Sequence, residues 1–143
     1  MVVLSIAAPT ALFMLNDSAN ARLDAMQTTR AVWMVNAILE ECAADAMYAD
    51  GASGYDAMEN EPAYVAGLRN RMNDSLADYE PFGLTWQVDL DPVVVTNTPG
   101  GPRAVAQPGL NDPDYRRIAA TVRWSTHRGE TKTLDVDIVV ARP

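Results

Sequence analysis

The chain has 143 residues, 48% hydrophobic and 21% charged, with three Trp and five Tyr; this is the composition of one folded domain able to bury a core without disulfides or metals. Eleven Lys and Arg against nineteen Asp and Glu leave a net charge of -8, and no basic stretch offsets it, which argues against nucleic acid as a partner. Cys42 is the single cysteine, so no intrachain disulfide forms; its place on an apolar helical stripe marks a small buried side chain rather than a nucleophile.

The opening run "MVVLSIAAPTALFML" carries no charge. A helix needs about 20 apolar residues to cross a bilayer, so this run is too short to span one alone. With no positive stretch ahead of it and no clear mature start after "SIAAPTA", it does not read as a cleaved export signal either. Residues 1–15 are therefore set apart from residues 16–143, which hold the globular domain and the rest of the helix.

Pro9 sits in a first helical turn or kinks a helix that continues through it, and from Thr10 to Tyr48 there is neither Pro nor Gly, which predicts one long helix. Met14, Ser18, Ala21, Ala25, Thr28, Val32, Val35, Leu39, Cys42 and Ala46 recur at alternating steps of four and three and share one face. That face is small and weak in its first half and apolar in its second. Val32, Val35, Leu39 and Cys42 are accordingly the predicted contacts between helix and domain, and the first half of the helix is expected to project from the domain. Glu40, Glu41 and Asp45 oppose the helix dipole near its end and read as a solvated face or a contact to a basic surface.

The glycines of "YADGASGYDAMENEP" break the helix, and Pro62 opens a shorter one to about Leu76, with Val65, Leu68, Met72 and Leu76 at helical spacing. "YEPFG" ends it. Leu84, Trp86, Val88 and Leu90 then alternate with polar residues, the pattern of a half-buried strand. A short strand at Val93 to Thr96 leads into a Pro- and Gly-rich stretch up to Tyr115, read as an exposed variable loop whose turn formers prevent regular pairing. Ile118, Ala120, Val122 and Trp124, then Leu134, Val136, Ile138 and Val140, alternate on either side of the "THRGET" turn and predict a terminal antiparallel hairpin. Arg123 with Asp135 and Asp137 are the candidate cross-strand ion pairs there.

His127 is the only histidine, so any triad or histidine metal site must be built on it. Its place in "STHRGET" predicts a solvated turn residue instead. No nucleophile elbow, phosphate loop or dinucleotide fingerprint occurs, and "PGGPR" puts prolines where amide donors are needed. No catalytic residue, no cofactor site and no enzymatic activity are expected from these residues. Asp89, Asp91, Asp112 and Asp114 are the candidate oxygen ligands for a calcium ion, in a spacing without the order of an EF-hand loop.

The expected fold is α+β, with a long N-terminal α-helix packed on an antiparallel β-sheet and a short second helix. A long helix apolar in its first part, a connecting segment, strands and a last hairpin "YRRIAATVRWSTHRGETKTLDVDIVVA" resemble the type IV pilin superfamily, in particular its minor pilins and the minor pseudopilins of type II secretion. "VVLSIAAPTALFML" is similar to the interior of that family's N-terminal helix, downstream of the processing motif in which a glycine precedes Phe-Thr-Leu-Ile-Glu; no such motif precedes Met1.

The resemblance implies a structural subunit that assembles through its helix, with Val3, Leu4, Ile6, Ala7, Ala11, Leu12 and Leu15 as assembly residues. It further implies other pilin or pseudopilin subunits and the bacterial inner membrane as partners, and a globular part in the periplasm or on a cell-surface filament. Some pseudopilins carry calcium in a β-region loop, which keeps the four aspartates in view. The small residues Ala7, Ala8, Ala11, Ser18, Ala19 and Ala21 suit close helix packing, and Ser18 to Ala21 read equally well as simple helix formers. The alternative is a soluble α+β domain that binds a ligand or protein, with the opening run folded back on its core.

Overall fold

The computed structural model describes residues 2–48, 51, 53–110 and 113–143, with side chains described from Leu15 onward in the first helix. That helix, α1 (Val2–Ala46), spans 45 residues, about 68 Å at ~1.5 Å per residue. It starts ahead of Pro9, which therefore lies within the helix rather than in its first turn. A proline there forgoes one backbone hydrogen bond without ending the helix.

A short 3-10 helix (Tyr55–Glu59) follows, and then α2 (Glu61–Leu76), where the Asn60 side chain caps the N-terminus by accepting the Ala63 N–H and Pro62 occupies the first turn. The buried line of α2 is Tyr64, Leu68, Met72 and Leu76. Val65 is only partly buried against the core.

Four antiparallel strands complete the chain: β1 (Thr85–Thr98), β2 (Gly101–Ala106), β3 (Tyr115–Ser125) and β4 (Thr131–Ala141), in the order β2-β1-β3-β4. The fold is α+β, a long N-terminal helix packed on an antiparallel sheet with a short second helix. α1 lies on β3 and β4, and α2 touches β1. Leu84, Val88, Leu90, Ile118, Ala120, Val122 and Trp124 meet the helices in one core. Leu134, Val136, Ile138 and Val140, on the edge strand, are half-buried against it.

Two strand expectations are corrected. The strands at Leu84 to Leu90 and Val93 to Thr96 are one, because β1 runs through Pro92 without losing register with β3. The stretch after Thr96 is not a loop throughout: Gly101–Ala106 pairs residue by residue with Val93–Thr98. Pro99 and Gly100 close that hairpin, and Gly101, at φ 108, takes a conformation other residues rarely adopt. Since β2 is outermost, Pro102 sits at an edge where its missing N–H is tolerated.

The helix contacts are also partly corrected. Val35, Leu39 and Cys42 are buried as expected, together with Ala31, Met34, Ile38 and Ala46, but Val32 is 42% exposed. The core-facing stripe is centred on Ala31, Ile38 and Cys42, and at 3.6 residues per turn Val32 falls on its flank.

Candidate functional site

The feature that sets this chain apart is α1 itself, held to the domain by two polar junctions and the apolar stripe between them, with large apolar side chains also exposed on its outer side. Nearest its C-terminus, Glu41 and Asp45 face α2. Arg71 Nε donates to Glu41 Oε1 at 3.3 Å, Arg71 Nη2 pairs with Asp45, and the Tyr64 hydroxyl donates to Asp45 Oδ2 at 2.8 Å. The basic surface that these helix carboxylates call for is thus inside the molecule, on α2. Burial tends to lower the Arg71 pKa, but the Asp45 and Glu41 carboxylates outweigh it and raise it.

Cys42 lies in the same layer, fully buried, its thiol pushed up to about 11 by burial. Burial, with the Cys42 thiol and Asp45 beside it, also raises the Tyr64 phenol. A thiol held neutral is a poor nucleophile.

The other polar attachment is one that no local pattern in the sequence announces. The β3–β4 turn reaches α1, so the first half of the helix does not simply project from the domain. His127 is an exposed turn residue, as expected, but it is bonded there: its backbone N–H donates to Asp24 Oδ1 at 3.2 Å, its Nδ1 lies 2.7 Å from Asp24 Oδ2, and Arg128 pairs with Asp17 at 3.0 Å. Loss of water tends to raise the Asp24 pKa, but the bonds from the His127 N–H and imidazole and the charges of His127 and Arg128 prevail and hold it below its ordinary value. A cleft of about 480 Å³ adjoins this clasp, lined by Asp17, Asp24, Thr28, Trp124, His127 and Lys132. An imidazole oriented by a carboxylate is two-thirds of a hydrolytic triad. Among the described residues no hydroxyl or thiol is bonded to its other nitrogen, and the neighbouring cations are taken, Arg128 by Asp17 and Lys132 by Glu130.

On the side of α1 away from the core, Leu15, Met26 and Trp33 are 68%, 50% and 66% exposed. They are spaced by three and two helical turns and so stand in one line. Leu23 is exposed beside them, and Arg30 stacks on Phe82 with its guanidinium 3.4 Å from the ring centre. Of the expected assembly residues, Leu15 belongs to this line; the side chains of Val3, Leu4, Ile6, Ala7, Ala11 and Leu12 lie outside the described residues, although their backbone is helical. Among the described residues, no helix is long and apolar enough to cross a membrane.

Of the four aspartates, the three that are described, Asp89, Asp91 and Asp114, are not brought together as a ligand set. Asp91 is paired with Arg117, directly across the ladder, and that bond raises the arginine pKa. Asp89 accepts from Gln87 Nε2 at 2.8 Å, while Asp114 lies just before β3. Asp112 is outside the described residues, among which no group of three or more metal-ligating side chains occurs. The expected Arg123 pairs are replaced as well: Thr121 stands opposite Asp135 and donates to it at 2.7 Å, and Ala119 faces Asp137.

In comparison with known proteins, no family model, no curated protein and no solved structure matches the chain. The functional reading therefore rests on the molecule's own chemistry. Asp24, Arg71 and Trp33 belong to no motif that marks them as contact residues in the sequence. Trp33 carried a signal, a large aromatic out of phase with the predicted core stripe.

Proposed function

We propose that the protein is a structural subunit of a filament, of the minor pilin or type II secretion pseudopilin kind, that assembles through α1. The observation that carries the reading is the outward line of Leu15, Met26 and Trp33, which continues the uncharged opening run along a helix already anchored to its own domain on the other side. Large apolar side chains aligned on a solvent face favour association with another surface. At ~1.5 Å per residue, the uncharged run of residues 1–15 is about 22 Å long, short of a bilayer core of about 30 Å. In this reading it is the inner part of a longer membrane and filament helix, and the globular domain faces the periplasm or the filament surface. The subunit works by packing against other pilin or pseudopilin helices and has no catalytic step.

The test is the mature N-terminus of the native protein, read by intact mass and N-terminal sequencing from its source cell. A start upstream of Met1 at a methylated residue, with the protein in a sheared filament or inner-membrane fraction, is the expected result. A native start at Met1 in a soluble fraction overturns the proposal.

A further inference from the structure

Arg116 occupies an inward position of β3, in the row that continues as Ile118, Ala120, Val122 and Trp124. It is 5% exposed, the sole charged residue among the buried side chains described. A guanidinium taken out of water needs acceptors for its five N–H groups. Those it has are poor. Nη1 donates to the Met58 carbonyl at 3.4 Å, Nη2 lies 3.6 Å from Glu59 Oε1, the Tyr55 ring centre is 5.3 Å from the guanidinium carbon, and the buried Nε has no hydrogen-bond partner among the described residues. Charged pairs of this kind normally close to about 2.7–2.9 Å.

The same arginine lines an open cleft of about 340 Å³ at the end of β3 away from the His127 turn, within the ~300–1,000 Å³ range of small-molecule sites. Leu90, Pro92 and Leu110 give the cleft an apolar wall, and Glu59 and Glu61 bring two carboxylates to it. We infer that this cleft binds a zwitterion of the α-amino acid class with an apolar side chain, its carboxylate on Arg116, its ammonium between Glu59 and Glu61 and its side chain on Leu90, Pro92 and Leu110.

Charge balance selects this class. One guanidinium with two carboxylates repels a simple organic acid, and a simple amine leaves the buried guanidinium as poorly paired as before. A ligand with both groups matches both needs, and removing either leaves a charged partner unanswered. The site is separate from the outward line of α1 and does not rest on the assembly reading.

Isothermal titration of the full chain with L-leucine, with its deaminated counterpart isocaproate and with its decarboxylated counterpart isoamylamine tests the assignment. Saturable binding of one leucine per chain is expected, with each analogue weaker by about tenfold or more. Glu61→Gln, a change of near-equal shape at a partly exposed first-turn position of α2, is expected to weaken leucine by about tenfold and to leave isocaproate no weaker. Absence of saturable leucine binding, equal binding of isocaproate, or leucine binding unchanged by Glu61→Gln in a folded variant each overturns it.

Discussion

The Asp24 carboxylate holds the β3–β4 turn with both of its oxygens, Oδ1 accepting the His127 backbone N–H at 3.2 Å and Oδ2 lying 2.7 Å from the imidazole Nδ1. The two residues are 103 positions apart, so this clasp ties the middle of α1 to the far end of the sheet. Asp24→Asn is expected to loosen the turn and the α1 turns around Asp17 while leaving the core intact. Amide exchange should speed up at Thr126 to Glu130 and stay slow at Ile118 to Val122. Because the folded Asp24 pKa is depressed, its contribution is present above the unfolded value and disappears as pH falls through the folded one. The wild-type turn should therefore begin to exchange like the variant only on acidification below the ordinary carboxylate range, about 3.9 for an unperturbed aspartate. Equal protection in both proteins at neutral pH would show that the clasp holds nothing.

A second junction joins the two helices. The Tyr64 hydroxyl and Arg71 both bind Asp45, and Arg71 also reaches Glu41. Tyr64→Phe removes one bond to a charged acceptor that keeps Arg71, so a loss of about 1.5–3 kcal/mol is expected. Arg71 is partly solvated, and the Coulomb part of its loss on Arg71→Met is limited to about 1 kcal/mol. Urea titrations with unchanged m-values measure both, and coupling of the two changes in a double-mutant cycle checks that they act through Asp45.

How much of this was legible in advance depends on the range of the interaction. Helices and strands whose apolar residues recur with a clear period were readable, because period reports which face is buried. Ile118 to Trp124 is the clearest case. Val32 was misplaced because alternating steps of three and four fit more than one stripe on a long helix, and only packing against β3 and β4 decides which stripe turns inward. The β1–β2 hairpin was hidden by its own turn: Pro99, Gly100 and Pro102 read as breakers, whereas at a tip and an outer edge they are permitted. Asp24 with His127, and Arg116 with Glu59, bring together residues far apart in sequence, and no local pattern announces such pairs.

The buried layer at Cys42 gives an alkaline prediction. The thiol is pushed up to about 11, and Tyr64 is raised beside it, by burial first in both cases. A raised folded pKa contributes stability below the unfolded value, which is lost as pH rises. Stability measured by thermal melts should therefore decline above about pH 8.5, where an unfolded thiol ionises. Iodoacetamide should leave the native protein unmodified at neutral pH and alkylate it in urea. Rapid alkylation of the folded protein would mean that this layer opens readily.

The outward line of α1 makes the sharpest contrast between stability and association. Trp33 is two-thirds exposed, so Trp33→Ser removes little buried surface, and its effect on folding should stay within about 0.5 kcal/mol. Ile38, on the opposite side of the same helix and fully buried, is the control: Ile38→Ala is expected to lose about 2–5 kcal/mol. If the line is an assembly surface, Trp33→Ser and Met26→Ser together should lower self-association in sedimentation velocity, and the blue shift of Trp33 fluorescence on association should vanish in Trp33→Ser. Incorporation into filaments in the source cell should fall with the same two changes, while the steady-state level of the protein does not. Undiminished self-association and incorporation of the double variant would remove Leu15, Met26 and Trp33 as the contact and leave only the opening run to mediate assembly.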